Sequence, residues 1–460
     1  MPADPGLIRA AGLLLPLTIV WCLYLWRKPE RRETAAALLA CVWNVPALLL
    51  LHLLAMRYGW WRFEAQGGLL LKMPVDFYLG WVLLWGALPV LAFPRLRLVF
   101  VIAIMLAVDL LLMPSCQPVL QLGRAWLAGE AVALVVCLAP AQLLARWTRD
   151  DRHLNERALL QVITFGGLML GVLPAIIIEQ TGGSWAALLK RPAWLGGLEL
   201  QALMIPVILG LTAVQEFVRR GKGTPVPFDP PKRLVTSGVY AYIANPMQLA
   251  MCLTLAGWGL MLENLWVAGA GLVAFAYSAG LAAWDEGGDL TARYGDAWKA
   301  YRRKVRRWCP HWRPRHASSA RLYVAEECGQ CREIKAWLSK RNPVALEIIA
   351  AEDHPSRDLR RITYEACEEI GTEDDKGFAE EVETEEGVAA FARALEHIHL
   401  GWALAGWTMR LPVVRGFLQI LVDAAGGAPR RVRRRNLLQY GSKQAESGGM
   451  ERAAKCPVAK

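Results

Sequence analysis

Apolar runs separated by short polar loops dominate the first two thirds of the chain. Runs close to the ~20 residues needed to cross a bilayer lie at 7–26, 34–56, 75–93, 98–113, 126–145, 158–178, 194–217, 246–262 and 265–284. Only Glu263 and Asn264 separate the last two, which predicts a tight antiparallel helical hairpin. Nine spans place the two termini on opposite sides. The first run is too long, and followed by too many others, to be a cleaved leader.

Basic residues sort between alternate loops. One side carries Arg27, Lys28, Arg31 and Arg32, then Arg95 and Arg97, then Arg146, Arg149, Arg152 and Arg157, then Arg219, Arg220, Lys222, Lys232 and Arg233. The other side has only Arg57, Arg62, Lys72, Arg124, Lys190 and Arg191. The positive-inside rule therefore puts the N-terminus outside and everything after Trp284 in the cytoplasm. Composition agrees: 55% hydrophobic and 20% charged residues over 460 positions exceed the apolar share of an ordinary soluble domain and fall short of its charge. The net charge of +11 raises nucleic acid as a partner, but the basic run Arg430, Arg431, Arg433, Arg434 and Arg435 is read as a contact for anionic lipid heads.

Past Trp284 the apolar runs give way to Arg- and Lys-rich sequence. From Arg321 to about Asp423 short apolar runs alternate with helical patterns, and the Gly- and Ser-containing tail from Gly426 has the composition of a disordered segment. Four parts are expected: N-terminal spans at 1–157, a membrane core at 158–316, a small α/β domain at 317–425 and a basic disordered tail at 426–460.

The connector from Gly221 to Met247 holds the first candidate chemistry. Its prolines at 225, 227, 230 and 231 each remove a backbone donor and restrict the preceding residue, so it is a shaped loop. It ends in Gly238-x-Tyr240-x-Tyr242-x-x-Asn245-Pro246 and runs directly into a span. Pro246 suits a first helical position and Asn245 is a good cap; the spare amides of that helix start could meet an anionic group. After the hairpin, Leu290, Tyr294, Trp298 and Tyr301 recur at helical spacing as one aromatic face, with Glu286 one turn earlier.

In order and spacing these two segments resemble the C-terminal core of the isoprenylcysteine carboxyl methyltransferase and phospholipid methyltransferase superfamily of integral membrane enzymes. The resemblance covers about 194–310. It implies an S-adenosylmethionine-dependent methyltransferase that binds its cofactor on the cytoplasmic side and takes a lipophilic acceptor from the membrane. Carried over residue by residue, Tyr240, Tyr242, Asn245 and Pro246 would line the cofactor cleft and Glu286 would hold the cofactor. Three positions depart from the usual bacterial pattern: Ala244 stands for an arginine, Gly287 for a second glutamate and Gln248 for a tyrosine. Arg233 and Arg293 are nearby cations that could replace the missing one.

Among ten cysteines, Cys328 and Cys331 have paired spacing, between a predicted strand at Arg321 and a predicted helix from Arg332. A Cys-x-x-Cys at a strand-to-helix turn is the thioredoxin-like arrangement, in which the first thiolate is favoured by the helix start and the second resolves a mixed disulfide. No further Cys or His pair lies close enough in sequence to favour zinc, and no metal site is expected. This region resembles the DCC-type thiol-disulfide oxidoreductase family over about 321–423, with Glu386-Gly387-Val-Ala-Ala-Phe391 and Leu411-Pro412 matching its later pieces.

The expected fold is thus an α-helical polytopic membrane protein of about nine spans followed by a small α/β thioredoxin-like cytosolic domain, in a membrane of the bacterial inner type. The expected activity is S-adenosylmethionine-dependent methyl transfer to a lipophilic acceptor such as a phospholipid amine, a thiol or a prenyl-type carboxylate, with catalytic Cys328 and Cys331 serving an appended dithiol that acts on a thiol substrate. The alternative is a membrane-anchored thiol-disulfide oxidoreductase on a non-catalytic scaffold. Membrane lipids are partners in either case; nucleic acid is not. Among acidic residues in or beside the first spans, Asp76, Glu130 and Glu179 are read as wet span ends, whereas Asp109 is a candidate for an acceptor or packing role.

Overall fold

A computed structural model describes residues 4–226, 229–315, 319–369 and 380–435; the side chains at 281–287, 367–369 and 380–382 lie outside that description. The chain packs as two compact units. The first comprises Met1–Gly196, Gly223–Pro230 and Leu255–Ala270; the second comprises Gly197–Lys222, Pro231–Thr254 and the chain from Gly271 onward.

In chain order the elements are helices α1 (Pro5–Arg27) and α2 (Arg31–Tyr58), strands β1 (Trp61–Phe63), β2 (Leu69–Leu70) and β3 (Met73–Pro74), helices α3 (Val75–Ala92) and α4 (Leu98–Ser115), strand β4 (Leu120–Leu122), and helices α5 (Trp126–Arg149), α6 (Leu154–Thr181) and α7 (Ala193–Gly221). Seven of these helices are long and apolar enough to cross a bilayer, consistent with a polytopic membrane protein. The eighth and ninth runs form shorter helices, α8 (Pro246–Met261) and α9 (Leu265–Gly280). The 16 residues of α8 span about 24 Å at 1.5 Å per residue, less than the ~30 Å hydrocarbon layer. The eighth expected span is therefore shorter than the first seven, while the helix of the ninth run continues without a break past Gly280.

In the first unit, small residues and freed carbonyls permit close helix packing. A Cβ on Gly80 of α3 would sit 1.9 Å from the Gly12 carbonyl oxygen of α1, so the two backbones touch as small-residue helix crossings allow. The Val45 carbonyl of α2 accepts from the Tyr78 hydroxyl of α3. A π-turn at Leu134–Leu138 within α5 leaves the Val136 carbonyl to accept from the Trp43 indole at 3.0 Å. At one end of this bundle β1 pairs antiparallel with β4; at the other, Arg32 meets Asp151 in the loop after α5. The hairpin turn is fixed by Asn264, whose side-chain oxygen accepts from the Trp266 and Val267 amides while its amide donates to Gly182.

The second unit continues from α9 into α10 (Ala283–Lys304), broken at Gly295 with φ 50°. Beyond it come β5 (Ala320–Val324), α11 (Gly329–Ser339), β6 (Leu346–Ala350), β7 (Thr363–Glu369), β8 (Glu380–Glu386), α12 (Val388–Leu395), α13 (Leu400–Arg410) and α14 (Pro412–Val422). The four strands form one sheet in the order β6-β5-β7-β8, with β5 and β6 parallel and the other pairs antiparallel. Parallel β5 and β6 require a crossover, which α11 supplies. One face of the sheet closes on α11 and α12 through Leu322, Val324, Leu338, Tyr364, Ala390 and Leu395.

The first residues of the basic tail do not hang free. Arg430 and Val432 donate backbone hydrogen bonds to Arg360 and Leu359, Arg431 pairs with Asp358, and Arg435 pairs with Glu326 and Asp353. Acidic partners within the same module thus absorb charge that the sequence assigned to lipid heads. Residues 436–460 lie outside the described part.

Candidate functional site

The latter half of the proline-bearing connector is held in shape by the segment that follows α9. Tyr294 donates its hydroxyl to the Pro231 carbonyl at 2.5 Å, and Tyr301 donates to the Tyr240 carbonyl at 2.8 Å. The chain then turns back alongside the connector. Ala244 and Asn245 donate their amides to the Arg306 and Arg307 carbonyls, while His311 and Arg315 donate theirs to Tyr242 and Ala241. Leu234, Ala244, Leu290, Tyr294, Trp298, Tyr301 and Val305 pack as one cluster. The aromatic stripe at helical spacing is therefore the surface on which the connector is moulded.

This arrangement separates the sequence-predicted residues by role. Tyr240 is buried, with its hydroxyl unpartnered among the described residues. Tyr242 is fully buried; its hydroxyl donates to the Glu396 carbonyl at 2.7 Å and its ring meets Trp407 edge to face at 5.5 Å. Burial pushes both phenols well above the usual tyrosine range. Asn245 is half-buried at the start of α8, where its amide donates to the Gln248 side chain at 3.1 Å. Pro246 opens that helix, and the Asn245 carbonyl accepts from Leu249. Glu286 lies in the first turns of α10, and its side chain is outside the described residues. Arg293, one of the two replacement cations considered, is paired with Asp289 at 2.8 Å. Ala244, where the resemblance implies an arginine, is buried against Trp298 and Tyr301.

Behind the connector lies a charge cluster that sequence reasoning missed. Glu216 near the end of α7 is completely buried and meets Arg220 at 3.0 Å, Arg393 at 3.0 Å and Arg410 at 2.6 Å. Arg393 also reaches Glu383 at 2.7 Å and Glu396 at 2.9 Å, and Arg410 reaches Glu396 at 2.8 Å. Arg220 closes the cluster through Glu383 and the Ser237 hydroxyl. Three carboxylates face three guanidiniums, so the charges balance in a site where all but the partly exposed Glu383 are buried, the condition under which buried ions are tolerated. Gly238 has φ +60°, and a Cβ there would lie 2.7 Å from the Glu216 carboxyl carbon. Glycine is therefore required both by its left-handed backbone and by the proximity of Glu216. The one sequence signal for this cluster was a glutamate inside an apolar run, which by default marks a functional or paired group.

A model of the phospholipid methyltransferase family matches residues 201–296. The match begins in α7, takes in the connector, α8 and α9, and ends in α10. It supports a membrane methyltransferase. Comparison with curated proteins and with solved structures returned no significant match.

As for the cofactor such enzymes use, the residues present fit part of its chemistry. The half-buried α8 start, with Asn245 beside it, suits an anionic group, and the Tyr240 hydroxyl is an orphaned buried donor. Tyr242 is already committed to Glu396.

The second candidate pair lies in the same unit. Cys328 precedes α11 as its N-cap residue, and Cys331 lies in the helix's first turn. Both are free thiols and half-buried. A hydrogen bond from the Cys331 thiol holds Cys328 below the ordinary thiol range, while burial, followed by that same donation, pushes Cys331 up to about 12. The pair is thus polarised into one thiol that ionises more readily and one that is held protonated. Glu352, in the 3-10 turn that follows β6, accepts from the Glu326 amide at 3.0 Å and shapes the turn before Cys328. His397 and His399 serve packing: His397 is buried between Tyr364 and the Val344 carbonyl, and His399 stacks on Trp312.

Proposed function

We propose that the protein is an integral-membrane, S-adenosylmethionine-dependent methyltransferase of the phospholipid and isoprenylcysteine carboxyl methyltransferase type, acting on a lipophilic acceptor. The observation that carries this reading is the coincidence of the family match at 201–296 with a connector held by both the aromatic stripe and the backbone of residues 306–315. When bound, the cofactor supplies an activated methyl group on a sulfonium. The protein's task is then alignment and exclusion of water rather than acid-base chemistry. Asn245 and the α8 amides would hold the cofactor's anionic end, Glu286 its cationic end, and Tyr294, Trp298 and Tyr301 would keep the loop rigid.

The module carrying Cys328 and Cys331 is proposed as a thioredoxin-like, cytosolic thiol-disulfide unit. A parallel β-α-β followed by an antiparallel hairpin, with the dithiol at the helix start, supports it. The dithiol would act on a thiol substrate, and serine at Cys328 should abolish that reaction while leaving methyl transfer intact. If both disappear in a folded Cys328→Ser protein, the reading of a redox enzyme on a non-catalytic scaffold replaces the first. The cofactor assignment is tested by calorimetry with S-adenosylmethionine and its demethylated product. Saturable binding is expected for wild type and its loss for Glu286→Ala; unchanged binding in the variant removes Glu286 from the site.

A further inference from the structure

The N-terminal helices, outside the matched region, enclose a cavity of about 50 Å³ at the end of the bundle where β1 pairs with β4. By the usual yardstick of ~10–15 Å³ per water this is room for a few waters or one small head group. Its wall is aromatic: Trp61, Phe63, Phe77, Trp81 and Trp85 line it. Phe77 stacks on Trp81 at 5.5 Å, and Phe63 meets Phe77 edge-on at 6.0 Å.

Most polar groups around this cavity are already satisfied. The Tyr78 hydroxyl donates to Val45, the Trp85 indole donates to Asp109 at 2.7 Å, and His52 Nε2 bonds the Leu71 carbonyl at 2.8 Å. Glu130 is different. It lines the cavity, is 2% exposed, and its Oε1 has no hydrogen-bond partner among the described residues. Nor does any Lys or Arg among the described residues pair with it. Asp109, 0% exposed, adds a second buried carboxyl to the same bundle. The expectation that Glu130 is a wet span end is therefore corrected: α5 turns it inward, toward the rings. His52 Nδ1 is likewise without a described partner.

We infer that this cavity is a binding site for an organic ammonium head group, with Glu130 as its counter-ion and the indole and phenyl faces as its cage. A carboxylate that stays ionised in so apolar a setting needs a positive or donating group beside it. Ring faces attract cations, most strongly when desolvated. An inorganic cation fits poorly, because calcium or magnesium needs six or more oxygen ligands, and no group of three or more acidic, His or Cys side chains converges among the described residues. A neutral apolar guest would fit the rings but leave Glu130 unanswered. The head group could belong to a free amine or to a lipid.

The test uses the full-length protein in a non-ionic detergent and calorimetric titration with tetramethylammonium, with dodecyltrimethylammonium and with the neutral isostere 3,3-dimethylbutan-1-ol. Saturable binding of either cation, about tenfold or more tighter than the alcohol, is expected. Binding of the soluble ion indicates a free amine, and binding confined to the long-chain ion indicates a lipid source. Glu130→Gln should remove the preference for cation over alcohol; Trp81→Leu should weaken cation binding with Glu130 intact, and serves as the second variant should the first not fold. The inference is overturned if the alcohol binds as tightly as the cations, if no cation binds, or if both variants, folded, bind as wild type does.

Discussion

Replacing Arg393 with methionine should destabilise the second unit more than any surface substitution. Arg393 is 1% exposed and contacts Glu216, Glu383 and Glu396 at 3.0, 2.7 and 2.9 Å. Removing it changes a balanced cluster into one with three carboxylates and two guanidiniums, of which only Glu383 is partly exposed. Breaking a buried pair from one side costs about 3–5 kcal/mol, which at 2–4 °C per kcal/mol for a unit of this size is a fall of roughly 6–20 °C in Tm. A second substitution, Glu216→Gln, tests the cause. Alone it leaves an excess positive charge and should also destabilise; combined with Arg393→Met it restores neutrality, so the double variant should lose less than the sum of the singles by about 1–3 kcal/mol. Thermal unfolding in detergent, followed by near-ultraviolet circular dichroism, reads both quantities. Two results would refute the reasoning: a single variant within about 1 kcal/mol of wild type, or strict additivity in the double.

Three further predictions use the same unit. Burial pushes His397 down to about 4 from an ordinary value near 6.5, so the native state stays neutral while the unfolded chain takes up a proton; its contribution is complete above pH 6.5 and is lost as pH falls toward 4, by roughly 3 kcal/mol at 1.36 kcal/mol per pKa unit. His397→Gln should flatten the stability profile over that window, and a profile unchanged by the variant would contradict the burial argument. Iodoacetamide at pH 7.5 should label Cys328 well before Cys331, by mass mapping, because Cys331 donates to Cys328 and is itself pushed up by burial; equal labelling would show that the pair is not polarised. Gly238→Ala should cost at least about 1–3 kcal/mol through its positive φ and the approach to Glu216, measured by thermal unfolding, and a neutral substitution would mean that the connector can be rebuilt.

What could be read from the chain beforehand follows physical range. Runs of apolar residues and the alternation of arginines are local, and the long helices lie where they predict. The stripe of Leu290, Tyr294, Trp298 and Tyr301 was legible from its spacing, but the helix breaks at Gly295 between its two halves, so packing on the connector rather than helical spacing alone brings the four together, and nothing local identified the Pro231 and Tyr240 carbonyls as the hydroxyls' acceptors. The dithiol turn was legible for the same reason: a strand, a short turn and a helix are neighbours in sequence. The joining of Glu216 to Arg393 and Arg410 was not, because those two arginines are almost two hundred residues away from it. Glu130 was misread because a carboxylate four residues into an apolar run can face either water or the bundle, and only packing decides.

The tyrosines of the connector show how a motif can be legible while the use of each residue in it is not. Tyr240 lies in a short 3-10 turn at Gly238–Ala241 and Tyr242 caps its end, and such alternation looks like two rings presented to a ligand. In the folded chain their carbonyls are taken by Tyr301 and His311, and the Tyr242 hydroxyl by Glu396. The α12–α13 region thus closes over Tyr242 through Trp407 at the same place where Arg393 and Arg410 clamp Glu216. Any change that loosens that charge cluster should also loosen the connector, because Gly238 is pressed against the Glu216 carboxyl on one side and leads into Tyr240 on the other. Cofactor binding should therefore weaken in Arg393→Met even though Arg393 is no part of the proposed cleft, and recover in the charge-restored double variant with Glu216→Gln. A purely local role for the cluster would leave cofactor affinity the same in all three proteins.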